Sequence, residues 1–153
     1  MSDTKRWQLI AKLAREKRDE SARLLTLAKQ ELEQHDTRYK QLQAYNAEYS
    51  AKLKPGYTSH QDIHSIANMQ NFLMKLADVL KQQLDTLKRQ QEMYHQALNK
   101  FQEDDQYYKF TLEHIEKLKE AKQKVEAKKE QRLLDDHALR TCSKGSNPSQ
   151  SSA

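Results

Sequence analysis

The chain has 153 residues, 32% of them charged and 36% hydrophobic, and a formal net charge of +5. Together with a mean hydropathy of −1.10, this composition excludes a large globular core. It leaves a helix with a narrow apolar stripe or a disordered chain. The basic balance allows attraction to acidic partners without specifying them.

The cellular compartment of the protein is predicted from features that its sequence lacks. The single cysteine, Cys142, excludes an internal disulfide and suits a reducing compartment. The N-terminal segment has no signal-peptide core, and no apolar run approaches the roughly 20 residues of a membrane span. We therefore expect a cytoplasmic protein with no direct membrane insertion.

A first helix is predicted from Asp3 or Thr4, either of which can serve as its N-cap. Its apolar residues recur at heptad spacing, the pattern of a coiled-coil seam. One heptad position holds Ala11, Arg18, Leu25, Leu32, Tyr39, Asn46 and Leu53, and the other holds Ala14, Ser21, Ala28, His35, Leu42 and Tyr49. We expect Asn46 to set the register, because a buried amide needs a polar partner.

A turn at about residues 54–58 ends this helix. Pro55 disfavours helix in the residue before it, and Gly56 accepts a reversed backbone. Thr58 and Gln61 then have the spacing of a capping box, which indicates a second helix from about Ser59.

The second helix carries the strongest pattern in the chain and is predicted to run to about Arg140. Apolar or aromatic side chains stand seven residues apart at Ile66, Leu73, Leu80, Leu87, Tyr94, Phe101, Tyr108 and Ile115. Such a repeat demands a partner helix. The small, polar residues 141–153 are predicted to be a disordered tail.

A short connection folds two such helices into an antiparallel pair. The predicted fold is therefore all-α: residues 1–140 form a single long antiparallel two-helix coiled coil, with the second helix overhanging the first. Centring the turn near Tyr57 places Leu42 opposite Phe72 and Tyr49 near Ser65. The overhang is then about 28 residues, or about 40 Å.

No catalytic, cofactor or metal site is expected. Cys142 has only His137 nearby, and His60 and His64 are too few for a structural zinc site, so we interpret them as solvated polar residues. The lysines after residue 116 alternate with glutamates, which is typical of an exposed helix face supported by ion pairs. Nucleic acid is therefore not an expected partner.

Two apolar surfaces indicate protein binding. In an antiparallel pair the flanking g positions meet beside the seam, and here they hold Leu24, Tyr45, Phe72, Val79, Met93 and Tyr107. With Leu42, Tyr49 and Leu76 they predict an aromatic docking surface, unless they only thicken the core. The overhang keeps apolar residues without a partner helix: Leu112, Ile115, Leu118, Val125, Leu133 and Leu134. A second copy, a partner helix or a groove would cover them, unless the end stays frayed in solution.

Three segments in this order resemble the FliJ family of the flagellar type III export apparatus: LQAYNAEY at residues 42–49, FLMKL at 72–76 and KKEQRLLDD at 128–136. The resemblance implies a non-enzymatic stalk, like that of a rotary ATPase, which is peripherally associated with the inner-membrane export apparatus. The implied partners are the export ATPase hexamer, the export gate membrane protein and export chaperones. The family's gate-binding cluster matches Leu42, Tyr45, Tyr49, Phe72, Leu76, Val79 and Gln83.

Two alternatives remain open at this stage. The equivalent stalk of a virulence type III secretion system would have a very similar sequence pattern. A generic coiled-coil scaffold, dimerising through the overhang, would also fit the heptads. The stalk hypothesis predicts a monomer when free, whereas the scaffold hypothesis predicts a stable dimer.

Overall fold

The structure, a computed structural model, describes residues 2–53 and 63–145. These residues form two α-helices, α1 (Asp3–Lys52) and α2 (Ile63–Gly145). The predicted fold class, an antiparallel two-helix coiled coil with an overhanging second helix, is confirmed. The predicted turn at residues 54–58 and the capping box at residues 58–61 lie outside the described residues.

The heptad pattern locates the contact surface of both helices. All the seam residues predicted for α1 and α2 are buried or half-buried. The reason is geometric, because a seven-residue repeat keeps the same face of each helix turned toward its partner. The interior is narrow: among the described residues eight side chains are buried, and of these Thr111 is fully enclosed.

The helix ends differ from the sequence prediction by a few residues. Ser2 caps α1: its Oγ accepts a hydrogen bond from the backbone N–H of Lys5 at 3.4 Å. At the other end, α2 continues to Gly145, five residues beyond the predicted boundary at Arg140. The Thr141 hydroxyl donates to the carbonyl oxygen of His137 at 3.1 Å. Polar side chains of this kind remain compatible with helix because the helix's own carbonyls satisfy them.

Contacts divide the chain into two compact units. One unit combines the residues up to Ala14 with those from Tyr107 onward, and the other is Arg15–Gln106. We refer to them below as the terminal unit and the central unit. The predicted assignment of residues 1–140 to a single domain remains a prediction.

The central unit pairs α1 with α2 through three kinds of contact. Tyr49 packs edge-on against Phe72 with ring centroids 5.1 Å apart. Gln83 hydrogen-bonds to His35, and Arg18 lies 3.9 Å from Asp105. Leu76 and Leu87 are its buried apolar residues, at 8% and 7% exposed. These contacts run in opposite order along the two helices, as an antiparallel pair requires.

The register in the central unit differs from the expected one by about one heptad. Phe72 lies against Tyr49 rather than against Leu42, although Tyr49 and Ser65 do line the same surface hollow. A shift of seven residues presents the same apolar pattern to the partner helix, so the heptads alone do not exclude it. Local contacts such as the ring pair decide between the two registers.

The terminal unit has a seam of small residues. Ala11 and Ala14 on α1 and Thr111 and Ile115 on α2 are its buried residues, and Thr111 is completely enclosed. The Thr111 hydroxyl donates to the Tyr108 carbonyl oxygen at 2.6 Å, so its polar group is satisfied within α2. Small side chains let the two helix backbones approach closely.

Candidate functional site

Several of the apolar side chains predicted to form a docking surface are exposed on the central unit. Tyr45, Phe72 and Val79 are 54%, 46% and 44% exposed. Leu42 and Tyr49, which hold neighbouring heptad positions in the sequence, are half-buried. We call these five residues the aromatic patch. Large apolar groups left in water next to a seam are a common feature of protein-docking surfaces.

Internal contacts hold one end of the patch in place. The edge-on contact between Tyr49 and Phe72 has an interplanar angle of 68°, a favourable geometry for two aromatic rings. The ammonium group of Lys52 lies 5.0 Å from the centroid of the Tyr49 ring, within cation–π range. Tyr49 is therefore oriented from two sides, and it presents Phe72 in a defined position.

A shallow hollow adjoins this ring pair. It has a volume of about 330 Å³ and is lined by Tyr49, Ser65, Asn68, Met69 and Phe72. Its walls are mainly apolar, with the hydroxyls of Tyr49 and Ser65 and the amide of Asn68 among them. A hollow of this kind can accept a single side chain of a docking protein.

Two of the predicted docking residues belong to the seam. Leu76 is only 8% exposed and is part of the core of the central unit. The side chain of Gln83 is half-buried and bonded to His35, 3.1 Å from its Nδ1. Both residues already make contacts inside the coiled coil, so neither presents a free side chain. The other g-position residues, Leu24, Met93 and Tyr107, are about half exposed.

The predicted overhang residues fall into two groups. Leu112, Val125 and Leu133 are 44%, 52% and 68% exposed, and every residue from 119 to 143 is exposed. Ile115, by contrast, is 7% exposed and Leu118 is half-buried. The overhang prediction was therefore wrong for Ile115, because α1 still covers α2 at this level. The nearby contact of Trp7 with His114 shows the same coverage.

An aromatic cluster in the terminal unit was missed by the sequence analysis. Trp7 stacks at a tilt on His114 with centroids 4.2 Å apart, and it contacts the edge of Phe110 at 6.3 Å. Phe110 in turn lies 6.5 Å from Tyr107. The available signal was the spacing of Tyr107, Phe110 and His114 on one face of a helix. In the structure this aromatic cluster packs the start of α1 against α2.

Potential metal ligands do not cluster in the described residues. Among residues 2–53 and 63–145, no three His, Cys, Asp or Glu side chains are grouped to hold a metal ion. Cys142 is exposed on α2, and His64 is exposed near its start. His60, the other half of the possible metal pair, lies outside the described residues.

Within the described residues, no helix combines the length and the apolar character needed to cross a bilayer.

The comparisons with known proteins gave one match. A family model with the description "Flagellar FliJ protein" matches residues 4–147, which is nearly the whole chain. Searches of curated proteins and of solved structures found no match.

Proposed function

Because this chain belongs to the flagellar FliJ protein family and is therefore a component of the flagellar export apparatus, we propose that it is a non-enzymatic stalk. In this proposal the aromatic patch docks on the export gate membrane protein. The free end of α2 contacts the export ATPase hexamer, and export chaperones bind the same protein. The flagellar family favours this assignment over the virulence-system stalk and the generic scaffold.

The exposure of Tyr45, Phe72 and Val79 is the observation that carries the proposal. Three large apolar side chains stay in water beside the seam, and Tyr49 packs against Phe72. Interface energy is usually concentrated in a few such aromatic anchors. Leu76 and Gln83 contribute indirectly, because they pack inside the coiled coil and hold together the helices that carry the aromatic patch.

A stalk would act mechanically. A single asymmetric coiled coil inside a sixfold ring contacts some subunits more than others, and so favours particular conformations of those subunits. Contact at the gate would then link ATP hydrolysis to export. The chain itself performs no bond chemistry in this mechanism.

Gate binding is tested with a double variant, Tyr45→Ala with Val79→Ala. Both side chains are exposed, so the thermal unfolding temperature should change little, while affinity for the purified cytoplasmic part of the gate protein should fall about tenfold or more. The matched control is Leu9→Ala with Leu13→Ala, two exposed apolar residues at 54% and 56%. Equal affinity of the patch variant and the parent chain would reject the patch as the gate surface.

Contact with the ATPase is tested separately at the free end of α2. Leu133→Asp should reduce stimulation of ATP hydrolysis by the purified hexamer. Leu139→Asp is the control, because its side chain is equally exposed, at 68%, but points about 120° away around the helix. Identical stimulation by all three proteins would show that this surface does not meet the ring.

The scaffold alternative is decided by oligomeric state. Sedimentation of the purified full-length chain should give a monomer if the protein is a stalk when free. A dimer that persists at low protein concentration would favour the scaffold.

A further inference from the structure

The seam of the coiled coil contains very few charged side chains. On α2 its second position, three residues after the first, holds Met69, Leu76, Gln83, Gln90, Ala97, Asp104, Thr111 and Leu118, all buried or half-buried. Over residues 11–53 and 66–118, each helix therefore has a single Arg, Lys, Asp or Glu in its seam, Arg18 on α1 and Asp104 on α2. A charge in a seam costs stability, and its best-attested benefit is to specify how the helices pair.

The structure brings these two charges to the same level of the central unit. The guanidinium group of Arg18 lies 3.9 Å from the carboxylate of Asp105, the residue that follows Asp104 in α2. It also bonds to Asp19 of its own helix at 2.8 Å. Asp104 is 6% exposed, with Lys100 at 3.3 Å. The seam cation of α1 and the seam carboxylate of α2 therefore belong to one layer of the coiled coil.

A slip of one heptad would separate the two charges. In the register expected from the turn, Arg18 would face Ala97 and Asp104 would face Ala11. A slip in the opposite sense would place Asp104 against Leu25. In both cases the carboxylate lies in the seam without the cation of α1, which is a costly arrangement for a buried charge. The apolar layers repeat every seven residues and discriminate much less between these registers.

We propose that Arg18 and Asp104 are positioning residues that fix the register of the coiled coil. Their charges compensate each other in one register, and every slipped register leaves them apart. The consequence extends to the aromatic patch, because a slip of seven residues would move Phe72 about 10 Å along the helix axis from Tyr49. The inference concerns the pairing of the two helices and does not rest on the proposed function.

Disulfide trapping measures the register directly. In a Cys142→Ser background, Leu42→Cys with Leu80→Cys joins residues that are opposite each other in the structure, each about one heptad from the ring pair. Leu42→Cys with Leu73→Cys joins residues that are opposite only after the slip. Cysteines with Cα atoms more than about 7 Å apart are not bridged, and the slip is about 10 Å. With both charges present, non-reducing gels should show the first pair oxidising at least about tenfold faster than the second.

Removing both charges should allow the slip. With Arg18→Leu and Asp104→Leu together, the second cysteine pair should oxidise at least about tenfold faster than before, while urea unfolding shows no loss of stability. The matched control is Asp85→Leu with Arg89→Leu, two exposed charges of α2, and should leave the ratio of the two rates unchanged. If the double variant at Arg18 and Asp104 also keeps that ratio, the apolar layers set the register alone and the proposal fails.

Moving the carboxylate gives a second test at constant composition and net charge. Asp104→Ala with Ala97→Asp places the carboxylate opposite Arg18 only in the slipped register. We expect the ratio of the two oxidation rates to shift at least about tenfold toward the Leu42 and Leu73 positions. Asp104→Ala alone should produce a smaller shift. An unchanged ratio after the carboxylate is moved would contradict control of the register by this charged layer.

Discussion

The amide nitrogen of Gln83 lies 3.1 Å from Nδ1 of His35 and 3.4 Å from the His35 carbonyl oxygen. The Gln83 amide N–H donates to the His35 carbonyl oxygen, and the same nitrogen lies beside the ring nitrogen Nδ1. This pair joins α1 to α2 inside the seam and satisfies a polar group from each helix. Asn46 is also half-buried in the seam, and its expected register-setting role stays a prediction.

Removing one partner of this pair should destabilise the coiled coil. We expect Gln83→Ala to lower the free energy of unfolding by about 1–2 kcal/mol, because His35 is left half-buried without its cross-helix bond. Combining His35→Leu with Gln83→Leu should recover most of that loss. Urea unfolding followed by circular dichroism measures both, with the exposed Gln82→Ala as control. Losses that simply add in the double variant would contradict a direct bond.

Leu76 and Phe72 should respond differently to the same truncation. Leu76 is in the core, so Leu76→Ala should lower the unfolding free energy by about 2–3 kcal/mol. Phe72 is nearly half exposed, and Phe72→Ala should cost about 1 kcal/mol, mainly through its contact with Tyr49. Thermal unfolding of the two single variants separates the roles. A larger loss for Phe72→Ala would show that the aromatic patch is part of the core.

Asp104 is a buried carboxylate in the central unit. It is 6% exposed, its Oδ1 lies 3.3 Å from Lys100 Nζ, and its Oδ2 has no hydrogen-bond partner among the described residues. Asp104→Ala should raise the unfolding free energy by about 1 kcal/mol, since it removes a desolvated charge and improves helix propensity. Lys100 is half exposed and stays solvated. A clear loss of stability would instead assign Asp104 a needed contact.

Trp7 should anchor the first turns of α1 in the terminal unit. Trp7→Ala removes the stacking on His114 and the edge contact with Phe110, and we expect it to lower the unfolding free energy by about 2 kcal/mol. Tyr107→Ala, at 50% exposed, is the matched control and should cost well under half as much. Hydrogen exchange of the amides near the start of α1 would detect the local loosening. Unchanged exchange rates there would rule out the anchoring role.

Much of the candidate site was predictable because g positions are defined by the heptad itself. Tyr45, Phe72 and Val79 could be assigned to a flanking surface once the seam was known. The resemblance to the family gives the positions of docking residues but not their burial. It therefore could not show that Gln83 and Leu76 are less exposed than these three residues.

The sequence by itself determined the fold class and the identity of the seam residues. A seven-residue apolar repeat over two long segments has few solutions other than paired helices. Only the tertiary structure decided the register, the residues that stay exposed beside the seam, and the level at which α1 stops covering α2. The physical reason is that several registers bury the same apolar pattern, because sliding one helix by a heptad leaves that pattern unchanged. Individual contacts, such as those of Tyr49 with Phe72 and His35 with Gln83, must therefore select one pairing.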